Sequence, residues 1–196
     1  MIRGIAIFGL NGGGKSTLTH ALANRLDYFE MDLEDYYFPT QRQSRKWALE
    51  NNSQNNIKNI GELPFANPKS KSEVQQLLIE DISSHSKFII SGVKMNWSDE
   101  IISKIDVAFW IKAPLDLRLK RIQAREEKRF GVRILHGGDM FSQQLDFQNA
   151  VKNRDLKEVE ECAKKFTCPI IEIDGTLSVE HNLDKIMDIL MIHNCE

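Results

Sequence analysis

The segment Gly9-Leu-Asn-Gly-Gly-Gly14-Lys15-Ser16-Thr17 constrains this chain more than any other stretch, because it matches G-x-x-x-x-G-K-[ST] in full. Before it lies the short apolar run Ile2 to Phe8, read as a buried strand. After it, Ser16 to Leu26 carries apolar residues at helical spacing. Strand, glycine loop and helix in that order form a cradle for phosphate. Glycines let the backbone wrap until successive N–H groups point inward, and the helix adds roughly +0.5 charge at its N-terminus. Gly9, Asn11, Gly12, Gly13, Gly14, Ser16 and Thr17 are therefore the expected binding residues around the phosphates of a nucleotide. Lys15 supplies a mobile point charge for the β and γ phosphates, and the Ser16 hydroxyl is placed to ligate Mg2+.

Composition makes a local anion site necessary. With 26 Lys and Arg against 28 Asp and Glu, the net charge is −2, so no overall basic field draws the chain to nucleic acid or membrane. At 196 residues, 41% of them hydrophobic, the chain has the size of one domain with a sizeable core, expected over 1–196. Cys162, Cys168 and Cys195 share no C-x-x-C spacing and have no clustered His, so they read as reduced thiols rather than a disulfide framework or a zinc site. The longest apolar runs are strand-sized, and Met1 to Phe8 lacks a long h-region and a cleavage site, which makes a cytoplasmic home the expectation.

Along the chain, strands are expected at Ile2 to Phe8, Tyr28 to Met31, Lys87 to Ser91, Asp106 to Ile111 and Pro169 to Ile173. Helical spacing predicts helices at Ser16 to Leu26, Glu73 to Ser83 and Glu100 to Ile105. Further helices run from Pro114 to Arg129, from an Asp139 cap toward Ala150, over Asp155 to Lys165 and over Ser178 to Ile192. Between Gln41 and Ser72 the chain is polar and rich in Asn, Gln and Ser, which reads as an insertion over the core, on the acceptor side at about 40–72. Its Arg42, Arg45 and Lys46 either grip an acceptor phosphate or form a solvated face. Trp47 and Trp97 either line an acceptor pocket or pack. Five apolar strands alternating with helices predict a three-layer α/β/α fold around a five-stranded parallel sheet, with ligands at the carboxyl ends of the strands.

With these features the chain resembles the P-loop kinases of the nucleoside monophosphate kinase-like type, the group that includes adenylate, shikimate, gluconate and uridine kinases. The resemblance covers nearly the whole length: the loop at Gly9–Thr17, an acidic segment after the second strand, an arginine-rich helix after the fourth, and the turn Asp174-Gly175-Thr176. It implies ATP and Mg2+ as cofactors and a small-molecule acceptor as partner. Gly175 would lie in a loop beside the adenine ring; a tight αβ turn is the plainer reading, and both can hold.

Asp27, Glu30, Asp32, Glu34 and Asp35 place five negative charges and no positive ones in nine residues. Phosphoryl transfer to an alcohol needs a carboxylate that orients the hydroxyl and accepts its proton, and a second one can steady Mg2+ through water. The stretch Asp32-x-x-Asp35-Tyr36-Tyr37-x-Pro39 looks like the acceptor loop of uridine-kinase-like enzymes, which implies one aspartate as base. Asp32 is preferred for its place at the strand end, with Asp35 next; a solvated acidic loop is the alternative. Many P-loop enzymes end the third strand in an aspartate that helps hold Mg2+, whereas Lys87 to Ser91 ends in serine. Either Asp32 or Asp35 then takes the metal side, or catalysis is weak.

Arg118, Arg121, Arg125 and Arg129 fall at roughly 0°, 300°, 340° and 20° on a helix turning about 100° per residue, so all four share one face and can aim into a cleft. The resemblance makes residues 118–138 a lid, with Arg121 and Arg125 in the lid-arginine positions and Arg129 or Arg133 approaching on closure. A charged helix partnered by Glu126 and Glu127 is the alternative. Arg154 could reach the cleft from the next helices. The expected function is transfer of the γ-phosphoryl group of ATP to a small hydroxylated or phosphorylated metabolite. A P-loop ATPase or GTPase switch, or a nucleotide-binding protein with weak catalysis, remains the rival. Guanine specificity usually accompanies Asn-Lys-x-Asp after a strand, and the nearest match, Ser103-Lys-Ile-Asp106, precedes one.

Overall fold

The computed structural model describes residues 2–39 and 67–194. Arg42, Arg45, Lys46 and Trp47, with most of the polar insertion, lie outside the described residues, as does Cys195. In chain order the elements are β1 (Gly4–Phe8), α1 (Lys15–Leu26), β2 (Phe29–Asp32), α2 (Leu33–Tyr37), α3 (Lys71–Ser84), β3 (Phe88–Gly92) and α4 (Asp99–Ile102). After these come β4 (Val107–Lys112), α5 (Leu115–Phe130), a 3-10 turn at Gly131–Ile134, α6 (Phe141–Lys152), α7 (Leu156–Ala163), β5 (Ile170–Asp174) and α8 (Val179–Asn194). The sheet has five parallel strands in the order β2-β3-β1-β4-β5, as the alternation of apolar runs and helices predicts.

Period-two alternation sorts the strands onto two faces. Ala6, Phe8, Met31, Phe88, Ile90 and Ala108 pack beneath Val74 and Leu78 of α3, Ile101 and Ile102 of α4, and Val159 and Ala163 of α7. Ile5, Ile7, Ile89, Val107, Phe109 and Ile111 face Leu18 and Leu22 of α1 and Leu183, Ile186 and Leu190 of α8. Both faces are covered, giving the three-layer α/β/α arrangement, and β1 sits in the middle with β3 and β4 on either side. The glycine loop therefore leaves the most enclosed strand and stands at the carboxyl edge of the sheet.

Local chemistry explains several ends. Ser70 and Glu73 form a reciprocal capping box that starts α3, two residues before the position that spacing alone indicates. Asp106 accepts from the backbone N–H groups of Arg3 (2.6 Å) and Gly4 (3.0 Å), tying β4 to β1 at the amino edge of the sheet. That placement puts Ser103-Lys-Ile-Asp106 at the end of the sheet away from the glycine loop. One expectation needs correction here. Asp139 does not cap α6: the helix starts two residues later with Met140 at its N-cap, and the Asp139 carboxylate instead takes a fork from Arg133, with Nη2 at 2.7 Å and Nε at 3.0 Å. Of the two readings open for Trp97, the structure supports packing: it is a buried core residue against the tilted ring of Tyr37.

Leu78 is wholly buried between α3 and the sheet. Leu78→Ala should lower the unfolding free energy by about 2–5 kcal/mol in urea titration, the range for deleting a packed core side chain; a loss below about 1 kcal/mol would place α3 outside the core.

Candidate active site

The loop between β1 and α1 is shaped by two glycines whose conformation forbids a side chain. Gly12 (φ 78°) lies so close to α5 that a Cβ there would meet the Arg118 carbonyl oxygen at 2.4 Å, and Gly14 adopts φ 102° at the N-cap of α1. Gly14 brings no side-chain cap, so the first amides of α1 stay available to an anion. The Gly13 N–H donates to the Leu10 carbonyl at 3.2 Å and the Lys15 ammonium reaches the same oxygen at 3.2 Å, so the lysine folds back across the loop. Lys15 is only 6% exposed.

Burial lowers the Lys15 pKa from 10.5 to about 8. Glu34 and Asp32 pull it up, but less strongly, and Arg125 and Arg154 push it further down. A nearly enclosed ammonium with a depressed pKa fits a polyanion: the charged form is costly until phosphate arrives. Ser16 and Thr17 line the same cavity, of about 390 Å3. Its second wall is α5, through Arg121, Arg125, Lys128 and Arg129. Its third is the turn after β5 and the start of α8, through Gly175, Leu177, Val179 and Asn182. Arg121 spans two of these walls, its Nη1 donating to the carbonyls of Gly175 (2.8 Å) and Gly13 (3.5 Å). The Asp174-Gly175-Thr176 turn is held by the Asp174 carboxylate, which accepts from the Thr176 N–H and hydroxyl, while the Gly175 N–H donates to Lys112 O at 2.7 Å. The tight αβ turn is thus present, and Gly175 in it lines the cavity.

The acidic segment is divided by the fold. Asp32 ends β2, is 3% exposed and caps α2, with Oδ1 accepting from the Glu34 N–H at 3.0 Å. It stands in register with Ser91 of β3, which in turn pairs with Ile7 of β1. A carboxylate is thus present one strand, about 4.8 Å, to the side of Ser91, the next-to-last residue of β3. Of the acidic residues only Glu34 lines the cavity among the described residues, and the sequence reading had not singled it out. Asp35, half-buried on the next position of α2, does not line it. The donor set suits a hard cation held partly by the nucleotide: one hydroxyl, Ser16, and one carboxylate, Asp32, with no cluster of three His, Cys, Asp or Glu among the described residues.

The four arginines of α5 do not act as one row. Arg121, Arg125 and Arg129 line the cavity, but Arg118 is buried under the loop, donating from Nη1 to the Asn11 carbonyl at 3.2 Å. Its position one turn earlier brings it to the point where α5 crosses the loop, so the shared face does not aim all four into the cleft. Arg133, engaged by Asp139, is turned away as well. Arg154 gains importance: its Nη1 meets the Asn11 side-chain oxygen at 2.7 Å, across a sequence gap no spacing rule could bridge.

If a polyphosphate satisfies Lys15, its binding must follow the lysine charge. In the window between about 8 and 10.5 the unfolded chain holds this proton and the folded chain does not, so the group's contribution to stability rises with pH there. Affinity for a triphosphate runs the opposite way, because the anion binds the protonated form. The dissociation constant of a non-hydrolysable ATP analogue should rise by up to about tenfold per pH unit above about 8, read by calorimetry. Lys15→Met should bind weakly at every pH, without that inflection.

Comparison with known proteins agrees with this geometry. A family model described as an AAA domain matches residues 5–137. An uncharacterised protein of Bacillus subtilis (strain 168), YqaC, is 29% identical over 97% of this chain and 98% of its own length. A cytidylate kinase of Methanosarcina barkeri (strain Fusaro / DSM 804) is 28% identical over 63% of each chain. Among solved structures, the shikimate kinase from Acinetobacter baumannii in complex with shikimate superposes with a TM-score of 0.57 at 16% identity, over 100% of this chain and 97% of that one. Among the described residues no helix is long and apolar enough to cross a membrane. The chain belongs to the AAA-domain family, and its fold is that of the P-loop kinases of the nucleoside monophosphate kinase-like type.

Proposed function

We propose that this protein transfers the γ-phosphoryl group of ATP to a small hydroxylated or phosphorylated metabolite, as a single P-loop domain over 1–196 acting in the cytoplasm. The observation that carries the reading is one cavity in which a buried Lys15 ammonium lies with the Glu34 carboxylate of α2 on one side and Arg121, Arg125 and Arg129 of α5 on the other. The loop amides and Lys15 hold the β and γ phosphates, while Leu177 and Val179 offer an apolar wall to the base beside Gly175. Ser16, with Asp32 nearby, would hold magnesium, which when bound would supply charge neutralisation for the phosphates.

In the transfer, an acceptor hydroxyl oxygen attacks the γ-phosphorus, the bond to the β–γ bridging oxygen breaks, and the hydroxyl proton passes to a carboxylate. Asp32 was the first choice for that base and Asp35 the second. The position of Glu34 on the cavity wall supports it ahead of Asp35, with the capped and strand-fixed Asp32 on the metal side. Arg121, Arg125 and Arg154 stabilise charge on the transferring oxygens, each as a donor fixed before reaction. The guanine-switch reading loses support from Asp106, whose carboxylate is spent at the opposite edge of the sheet.

A metabolite panel with phosphorus NMR detection tests the reading: ATP should be consumed only when a particular acceptor is present, with a phosphorylated product appearing. Equal ATP consumption without any acceptor would replace the kinase by an ATPase. Lys15→Ala should abolish turnover, while Asp32→Asn and Glu34→Gln should keep nucleotide binding and lower transfer by about 10²–10⁴-fold. If Asp32→Asn, Glu34→Gln and Asp35→Asn all transfer at the wild-type rate, the base lies elsewhere.

A further inference from the structure

Glu126 lies in the C-terminal half of α5 and is wholly buried, at 0% exposure, in the charged run Arg125-Glu126-Glu127-Lys128-Arg129. Its Oε1 accepts from Arg125 Nε at 2.5 Å and from Arg129 Nη1 at 3.3 Å. Both arginines line the cavity that Lys15 enters. Its other oxygen, Oε2, is enclosed without a hydrogen-bond partner among the described residues. A carboxylate is withdrawn from water only at substantial cost, and here it is withdrawn where two cations on the wall share one of its oxygens.

We propose that Glu126 is a positioning residue that holds the guanidinium groups of Arg125 and Arg129 against the phosphate cavity. This rests on the nucleotide-binding reading of that cavity and adds what sets its cationic wall. Arg125 gives up one N–H, at Nε, and keeps its terminal nitrogens for a ligand. Arg129, whose side chain is only 7% exposed, lies mostly out of solvent and needs a counter-charge to remain there. Without the carboxylate the two guanidinium groups repel each other, and the long side chains regain freedom toward water. With it, their placement is fixed before phosphate arrives, and less entropy is lost on binding.

The test uses the full chain and Mg2+ with β,γ-imido ATP as the probe, so no acceptor need be known. Glu126→Gln keeps the shape and removes the charge. It should raise the dissociation constant about tenfold while thermal unfolding stays within a few degrees, and Glu126→Asp should recover most of the affinity. In an R125A/R129A background, Glu126→Gln should change the constant by less than about twofold, because the groups it positions are gone. Wild-type affinity in Glu126→Gln, or the same fold loss in that background, overturns the role. If Glu126→Gln does not fold, Glu126→Asp with Arg129→Lys gives the same coupling, and additive effects there overturn the role equally. A wild-type chain that does not bind the probe overturns the nucleotide reading instead, a distinguishable result.

Discussion

A lysine ammonium with almost no contact with water is the constraint around which the rest of the molecule is arranged. Holding Lys15 charged inside the protein at neutral pH works against a shift of its pKa down to about 8. That shift corresponds to a penalty on the order of 3 kcal/mol. That figure is what remains after the carboxylates of Glu34 and Asp32 have pulled the other way, with the Leu10 carbonyl also accepting from the ammonium at 3.2 Å. None of them removes the penalty, so the loop carries a standing preference for a polyanion. Binding energy for the phosphates is in that sense stored in the fold.

The parallel sheet makes this possible by geometry. Because β1 lies between β3 and β4, the loop emerges where three strand ends converge, and residues from distant segments can close over it. Glu34 reaches it from α2, Arg121 and Arg125 from the helix after β4, Gly175 from the turn after β5, and Arg154 from just beyond α6. Ser91, next to last in β3, has the Asp32 carboxylate beside it in register on β2, so the carboxyl edge of the sheet still carries an acidic group there. The arginine helix is likewise divided by labour: Arg118 supports the loop from below, Arg121 bridges it to the β5 turn, and Arg125 and Arg129 converge on a single buried carboxylate.

Much of this was legible in the residues. Helical and strand periodicity located the five strands and the longer helices to within about two residues, because burial on both faces of a parallel sheet demands continuous apolar runs and amphipathic helices; it missed the short α2 (Leu33–Tyr37) and ran the helix at Asp99–Ile102 three residues too far. Errors came where side-chain partners, rather than periodicity, decide. Asp139 has the chemistry of a cap, but a bidentate arginine fork is a stronger partner than a single backbone amide. Arg118 has the spacing of a cleft residue, but it is the residue at the crossing of α5 over the loop. Glu34 carries no signal of its own in the sequence, since Asp32 and Asp35 hold the spacing of the acceptor-loop resemblance, and only the turn of α2 determines which carboxylate meets the cavity.

The amino-acid order alone determined the phosphate loop, the alternation of strands and helices and the excess of charge at two places, since these depend on local spacing and backbone freedom. Tertiary structure alone decided which charges face one another. Strand order put Asp32 beside Ser91, and chain return brought Arg154 to Asn11, 143 residues away. Packing of α5 sealed Glu126 from water. Such pairings depend on distances between segments far apart in the chain, and those distances exist only once the sheet has closed and both its faces are covered.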